Sequence, residues 1–200
     1  MTETETPLEV AKIVRSFDAE LEAGAGRTIV GRLVPYGVPA DVADAGGIPY
    51  REQIARGAFR RAARAPHRYW LNWEHREGIL DQIARGSALT EADDGLDGEF
   101  VAVDGLVGDQ ALAMIRSAAE AGEPLGLSIQ ARIPPRTSRT LDDGTIERTL
   151  AILEHVALTT EPAYAGAAVT AIRSSSGRYP EIEAVRARQA ELRLRSRPTT

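Results

Sequence analysis

The chain has 200 residues, 43% of them hydrophobic and 26% charged, the balance of a soluble globular protein long enough to bury one domain's core with tails to spare. It contains no cysteine, which excludes disulfide scaffolds, thiol nucleophiles, iron–sulfur clusters and Cys-based zinc sites. Acids outnumber bases 29 to 24 for a net charge of −5, which argues against nucleic-acid binding by the chain as a whole, and no apolar run reaches the roughly 18 residues of a membrane helix.

The opening MTETETPLEV is acidic and polar, the opposite of a signal peptide, so the chain is expected to work in a cytoplasm. Val10–Phe17 and Thr28–Tyr36 read as strands rich in β-branched residues, the second followed by a Gly-Val-Pro turn. A short helix is expected over Ala58–Ala65, opened by Gly57, and an aromatic strand over Arg68–Trp73. Ile79–Ala84, Ala88–Glu91 and Gly98–Val103 read as short strands, interrupted at Arg85-Gly86 and at Asp93-Asp94-Gly95. Gly108–Ala121 is predicted to be a helix with Leu112, Ile115 and Ala119 on one face and Gly122 past its end. Leu125–Arg132 reads as a strand, Pro134–Thr145 as a polar loop and Ile146–Thr160 as one long strand-like run. Ala163–Ile172, small and apolar, closes the domain. RSSSGRYP, from Arg173, is a linker, and Pro180–Arg197 has the thin apolar stripe of a marginal helix. Charge divides the chain: residues 1–26 hold six acids and two bases, whereas residues 173–200 hold seven arginines and three acids. The reading is therefore an acidic N-terminal segment 1–26 that includes part of the first strand, a domain 27–173, and a basic linker and tail 174–200. The expected class is α+β, mainly β: a closed or nearly closed β-barrel surrounded by a few helices.

Imidazole chemistry is confined to His67, His75 and His155. His67, in APHR, reads as a surface residue. His75 ends RYWLNWEH just before Arg76-Glu77-Gly78, where a strand end projects a ring into a cleft or packs it on Trp73. Period-two alternation sends Leu125, Leu127, Ile129 and Ala131 into a core and turns Gly126, Ser128, Gln130 and Arg132 toward water or a cleft. A serine so placed is more often a solvent-facing residue of an amphipathic strand than a nucleophile, and the surrounding residues do not make the G-x-S-x-G elbow, because position 130 is Gln. The same alternation groups Leu153, His155, Ala157 and Thr159 on one face and Ile152, Glu154, Val156 and Leu158 on the other. A buried ring at 155 needs a partner, since an unpaired buried polar group costs about 1–3 kcal/mol, and the backbone alone can supply one. Glu154 poses the same question with a larger desolvation cost. No H-E-x-x-H, P-loop or G-x-G-x-x-G pattern is present, and no metal or cofactor is expected.

The segments GRLVPYGVPAD, EQIARGAF, LNWEHREGIL, DDGL, LGLSIQAR and HVALTTEPAYAGAAVTAIR, in that order, resemble the prohead (capsid maturation) serine proteases of tailed bacteriophages, whose fold is related to that of the herpesvirus assemblins. The resemblance runs over about Arg27–Arg173, and its specific elements are W-x-H, G-L-S and T-x-x-P-A at their spacings. It implies that His75 is the general base and Ser128 the nucleophile. Counting back from Pro162, the third member falls on His155, where many phage relatives have Glu; Glu154 is the alternative. The order His, Ser, His is the one found in assemblins. By the same analogy, backbone N–H groups near Arg132 or Arg136, in the loop after the serine strand, are the expected oxyanion donors.

The resemblance also implies the biology: a serine endopeptidase that cleaves the major capsid protein and scaffold protein, and itself, inside the assembling procapsid in the host cytoplasm. A homodimer is one implied state, and neither nucleic acid nor membrane is an expected partner. The basic tail would bind acidic scaffold or be trimmed. Two other readings use the same residues: a catalytically inactive capsid assembly factor on this fold, and a metal-dependent hydrolase built on His75 and His155.

Overall fold

A computed structural model describes residues 11–17, 26–43, 49–123, 125–160 and 169–173. The expected C-terminal helix, the linker and most of the small apolar segment 163–172 lie outside the described residues. The elements are β1 (Ala11–Phe17), β2 (Thr28–Pro35), β3 (Ala40–Ala43), β4 (Pro49–Ile54), α1 (Arg60–Ala63), β5 (Trp70–Trp73), β6 (Gln82–Glu91), β7 (Gly95–Ala102), α2 (Leu106–Glu120), β8 (Gly126–Ile133), β9 (Ser138–Thr140), β10 (Ile146–Arg148), β11 (Ile152–Thr159) and β12 (Val169–Arg173).

Eight strands form one sheet in the order β1-β8-β11-β5-β6-β7-β2-β12, antiparallel throughout except where β11 runs parallel to β5. The mainly β class is as expected. The closed barrel is not seen: the sheet curls into a half-barrel, and among the described residues no ladder joins β1 to β12. A second sheet, β3-β4-β10-β9, was not anticipated from the sequence.

The core is filled by Ile29, Leu33, Leu71, Ile83, Leu96, Phe100, Leu127 and Ile129, with Phe59 and Ile115 from the helical segments, all fully buried. Each such side chain contributes about 1.5–3 kcal/mol of burial free energy. α2 packs on β6 and β7 through Ala111, Leu112 and Ile115. It ends as the sequence predicts: Gly122 takes φ 76, and the N–H groups of Gly122 and Glu123 bond to the carbonyls of Ala119 and Ala118. The N-terminal end of α1 has no side-chain cap of its own. Glu91 of β6 serves there, accepting from Phe59 N at 3.2 Å and from the Tyr36 hydroxyl at 3.1 Å. Burial, reinforced by Glu91, raises the Tyr36 phenol above its ordinary pKa.

Four expectations about the elements need correction. The break at Arg85-Gly86 does not end a strand: β6 runs through it with a register shift between Gly86 and Ala88. Gly86 belongs to a close approach instead, because a Cβ there would collide with the Pro66 carbonyl. Ile79–Asp81 is a turn of 3₁₀ helix before that strand. The run Ile146–Thr160 is two strands, β10 in the small sheet and β11 in the large one, and the polar loop 134–145 contains β9. Hydrophobicity alone does not say which sheet a strand joins.

The small sheet is held by a buried ion pair. Arg148 Nε lies 2.6 Å from Glu52 Oε2, with Glu52 at 0% exposure, while its Nη1 and Nη2 donate to Ser138 Oγ and the Tyr50 hydroxyl. Removing one partner of such a pair strands a buried charge. Arg148→Met is therefore expected to lower unfolding free energy by about 3–5 kcal/mol. Urea unfolding checks this, and an unchanged midpoint would show the pair to be energetically idle.

Candidate active site

The site is built where β8, β11 and β5 lie side by side. Leu127, Ile129 and Ala131 of β8 enter the core as their alternation requires. Ser128 and Gln130 take the opposite face but do not face water: Ser128 is 1% exposed and Gln130 6%. Antiparallel strands commonly leave one face to water, but here both faces of β8 are covered around Ser128, so alternation assigns the side and not the exposure.

Across the sheet, Ser128 stands opposite Ala157 of β11, and Ala157 stands beside Asn72 of β5. His155, two residues before Ala157, shares the Ser128 face. It reaches that face through an irregularity. Leu153 pairs with Ala131 whereas His155 pairs with Gln130, so Glu154 is an extra residue without an opposite number. The simple alternation put Leu153 and His155 on one side; the bulge separates them, sending Leu153 into the core and His155 to the serine.

Glu154 bears on the alternative assignment of the third site residue. Its Oε1 lies 2.7 Å from Arg132 Nε, and its Oε2 accepts from Gln130 Nε2 at 3.1 Å. The two expected oxyanion-loop residues are placed differently from each other. Arg132 is within β8, in register with Lys12 and Ile152, so its backbone is committed to the sheet rather than to a loop. It is four residues, about 13 Å of extended strand, from Ser128. Arg136 lies in the exposed turn after β8 and takes φ 62. His67 is exposed on a 3₁₀ turn and its carbonyl accepts from Arg85 Nε.

His75 is not at a strand end. β5 stops at Trp73, opposite Leu158, and Glu74 N adds one more bond to Leu158 O at 3.0 Å. The chain then reverses: Glu74 has φ 43, His75 has φ 57, and Arg76 N closes the turn on Trp73 O at 2.7 Å. Two successive non-glycine residues in the left-handed region cost on the order of 1–3 kcal/mol each. The turn throws the His75 ring back over β11, where position 157 presents only a methyl group, toward β8.

There the ring lies between two partners. His75 Nε2 is 2.6 Å from Ser128 Oγ, and His75 Nδ1 is 2.9 Å from His155 Nε2. The two imidazole centroids are 5.1 Å apart with ring planes inclined by 49°. When the serine hydroxyl donates to Nε2, His75 carries its proton on Nδ1 and donates to His155, which then bears its own proton on Nδ1. Ser128, His75 and His155, expected from three separate stretches of sequence, are thus brought together.

Glu74 was not singled out from the sequence. Its carboxylate accepts from Thr159 Oγ1 at 2.8 Å, Thr160 N at 3.0 Å and Thr160 Oγ1 at 3.4 Å. No periodicity marks such a residue, because its partners are 85 and 86 positions away.

The molecule is thus a mainly β protein carrying a serine–imidazole–imidazole chain on one face of its large sheet. No protein family model matches it, and no curated protein does. Among solved structures it is similar to the bacteriophage T4 capsid assembly protease, gp21, at 9% identity, with 75% of this chain and 99% of that chain covered and a TM-score of 0.35.

Proposed function

We propose that this chain is a serine endopeptidase in which Ser128 is the nucleophile, His75 the general base and His155 the residue that holds His75. The observation that carries the reading is the position of the His75 ring, one nitrogen at 2.6 Å from a serine hydroxyl and the other at 2.9 Å from a second imidazole. A general base must lie about 2.6–3.2 Å from the proton it takes.

In the reaction, Ser128 Oγ forms a bond to the peptide carbonyl carbon while its proton passes to His75 Nε2. The tetrahedral intermediate collapses as the C–N bond breaks, and His75 returns the proton to the leaving amine. Water then attacks the acyl-serine ester, giving its proton to Nε2, and the serine is released with that proton. His155 accepts a hydrogen bond from His75 Nδ1–H throughout and fixes the tautomer. A neutral imidazole lacks the charge with which a carboxylate stabilises an imidazolium, so His155 acts mainly by orientation. The oxyanion requires N–H donors about 2.7–3.1 Å away. Arg136 lies past the end of β8, so more of that strand separates it from Ser128 than separates Arg132, and neither residue read from the sequence is within reach as a donor.

The substrate class follows from the sequence resemblance to prohead proteases. Capsid and scaffold proteins are the proposed substrates, the interior of an assembling procapsid in the host cytoplasm the proposed place, and the basic tail a proposed self-cleavage target. A fluorophosphonate probe tests the chemistry: the full chain is expected to gain one adduct, on the peptide that contains Ser128. Absence of that adduct, with no shortening of a co-expressed capsid protein, would favour the inactive assembly factor. Intact mass of the chain beside Ser128→Ala reads the tail; if both keep full length under conditions where the capsid protein is cut, self-trimming is wrong.

A further inference from the structure

We propose that Glu74 is a positioning residue: its carboxylate, bound to Thr159 and Thr160, holds the left-handed turn that aims His75 at Ser128 and His155. This inference rests on the reading of those three residues as a catalytic relay.

The turn is locally unfavourable. Left-handed backbone is tolerated by Gly, and by Asn or Asp more readily than by Glu, yet Glu74 and His75 adopt it in succession with φ of 43 and 57. Something outside the turn must hold it, and the side chain of Glu74 supplies that hold. The β5–β11 ladder ends with Trp73 opposite Leu158 and one further bond from Glu74 N to Leu158 O. Beyond that point the backbones part, and the carboxylate continues the connection, accepting from the Thr159 hydroxyl at 2.8 Å and the Thr160 N–H at 3.0 Å. Hydrogen bonds to an ionised acceptor are the strong ones. The strand it grips is also the strand that carries His155. One clamp therefore sets both the direction of the His75 ring and its stagger against His155, at the site where distances of 2.6 and 2.9 Å must be kept.

The test uses the full chain with ¹⁵N-labelled histidine, comparing wild type with Glu74→Ala, Glu74→Gln and Ile115→Val. The last variant loosens α2 on the far side of the core and controls for simple destabilisation. Two readouts are taken: the rate at which a fluorophosphonate acylates Ser128, and the ring-nitrogen resonances of His75 and His155. Glu74→Ala is expected to slow acylation by about 10²-fold, the scale of a misplacement near 1 Å, and to shift the His75 ring signals away from their hydrogen-bonded positions. Glu74→Gln is expected to fall between, since its amide oxygen still accepts from Thr159 while its NH₂ meets the Thr160 N–H as a second donor. Ile115→Val is expected to match wild type in both readouts. Glu74→Ala acylating at the wild-type rate with unchanged His75 signals would overturn the proposal; should that variant fail to fold, Glu74→Gln decides in the same way. A wild type that is never acylated would refute the relay itself, and the ring resonances would still judge the clamp.

Discussion

Ser128→Ala is expected to abolish cleavage, by as much as about 10⁶-fold where the uncut background allows it to be measured, the scale on which loss of a serine nucleophile acts in a working triad. The substitution removes one oxygen at a position that is 1% exposed and leaves the packing of β8 unchanged. Thermal unfolding should therefore move little while activity disappears, which separates chemistry from folding. His75→Ala should lose about 10²–10⁴-fold or more. The double variant should be hardly worse than the more damaging single one, because nucleophile and base act as a unit. Single-turnover cleavage of a capsid-derived peptide, with all variants at equal concentration, gives these ratios. Residual activity of Ser128→Ala within tenfold of wild type (roughly, against the 10⁶ expected) would remove the serine from the mechanism.

His155→Ala carries the second large effect and identifies the third member of the site. It deletes the acceptor at 2.9 Å from His75 Nδ1 and frees that ring to turn or change tautomer. The loss is expected to be smaller than that of His75→Ala, because the proton is still taken by the same nitrogen and only its placement suffers. His155→Gln should recover part of it, since an amide oxygen accepts the same hydrogen bond. Glu154→Ala should cost less than His155→Ala, its carboxylate being held by Arg132 and Gln130 on the bulge. The kcat/KM values of the four variants rank the roles. A Glu154→Ala loss exceeding that of His155→Ala would transfer the part to the carboxylate.

Much of this molecule can be read from local pattern. Alternation in LGLSIQAR sends Leu127 and Ile129 to the core and Ser128 to the other face, and the helix that ends before Gly122 is legible because its stripe and its left-handed stop are both local. Local pattern fails where the cause is a partner far along the chain. It splits β6 at Gly86, where only the approach of Pro66 explains the glycine. It merges β10 and β11, because an apolar run does not declare which sheet will receive it. It places His75 at a strand end, because nothing in W-E-H announces two left-handed residues held by threonines at 159 and 160.

The sequence by itself determined the residue types available for chemistry, three histidines and no thiol, and the side of β8 on which Ser128 stands. Those follow from composition and from the two-residue repeat of an extended chain. Only the tertiary structure decided that His75 and His155 meet Ser128. That meeting depends on a bulge at Glu154, a parallel pairing of β11 with β5, and a turn whose strain is met by a carboxylate bound across strands. Each is a contact between segments some 25 to 85 residues apart, set by how the sheet assembles rather than by any property of the segments alone.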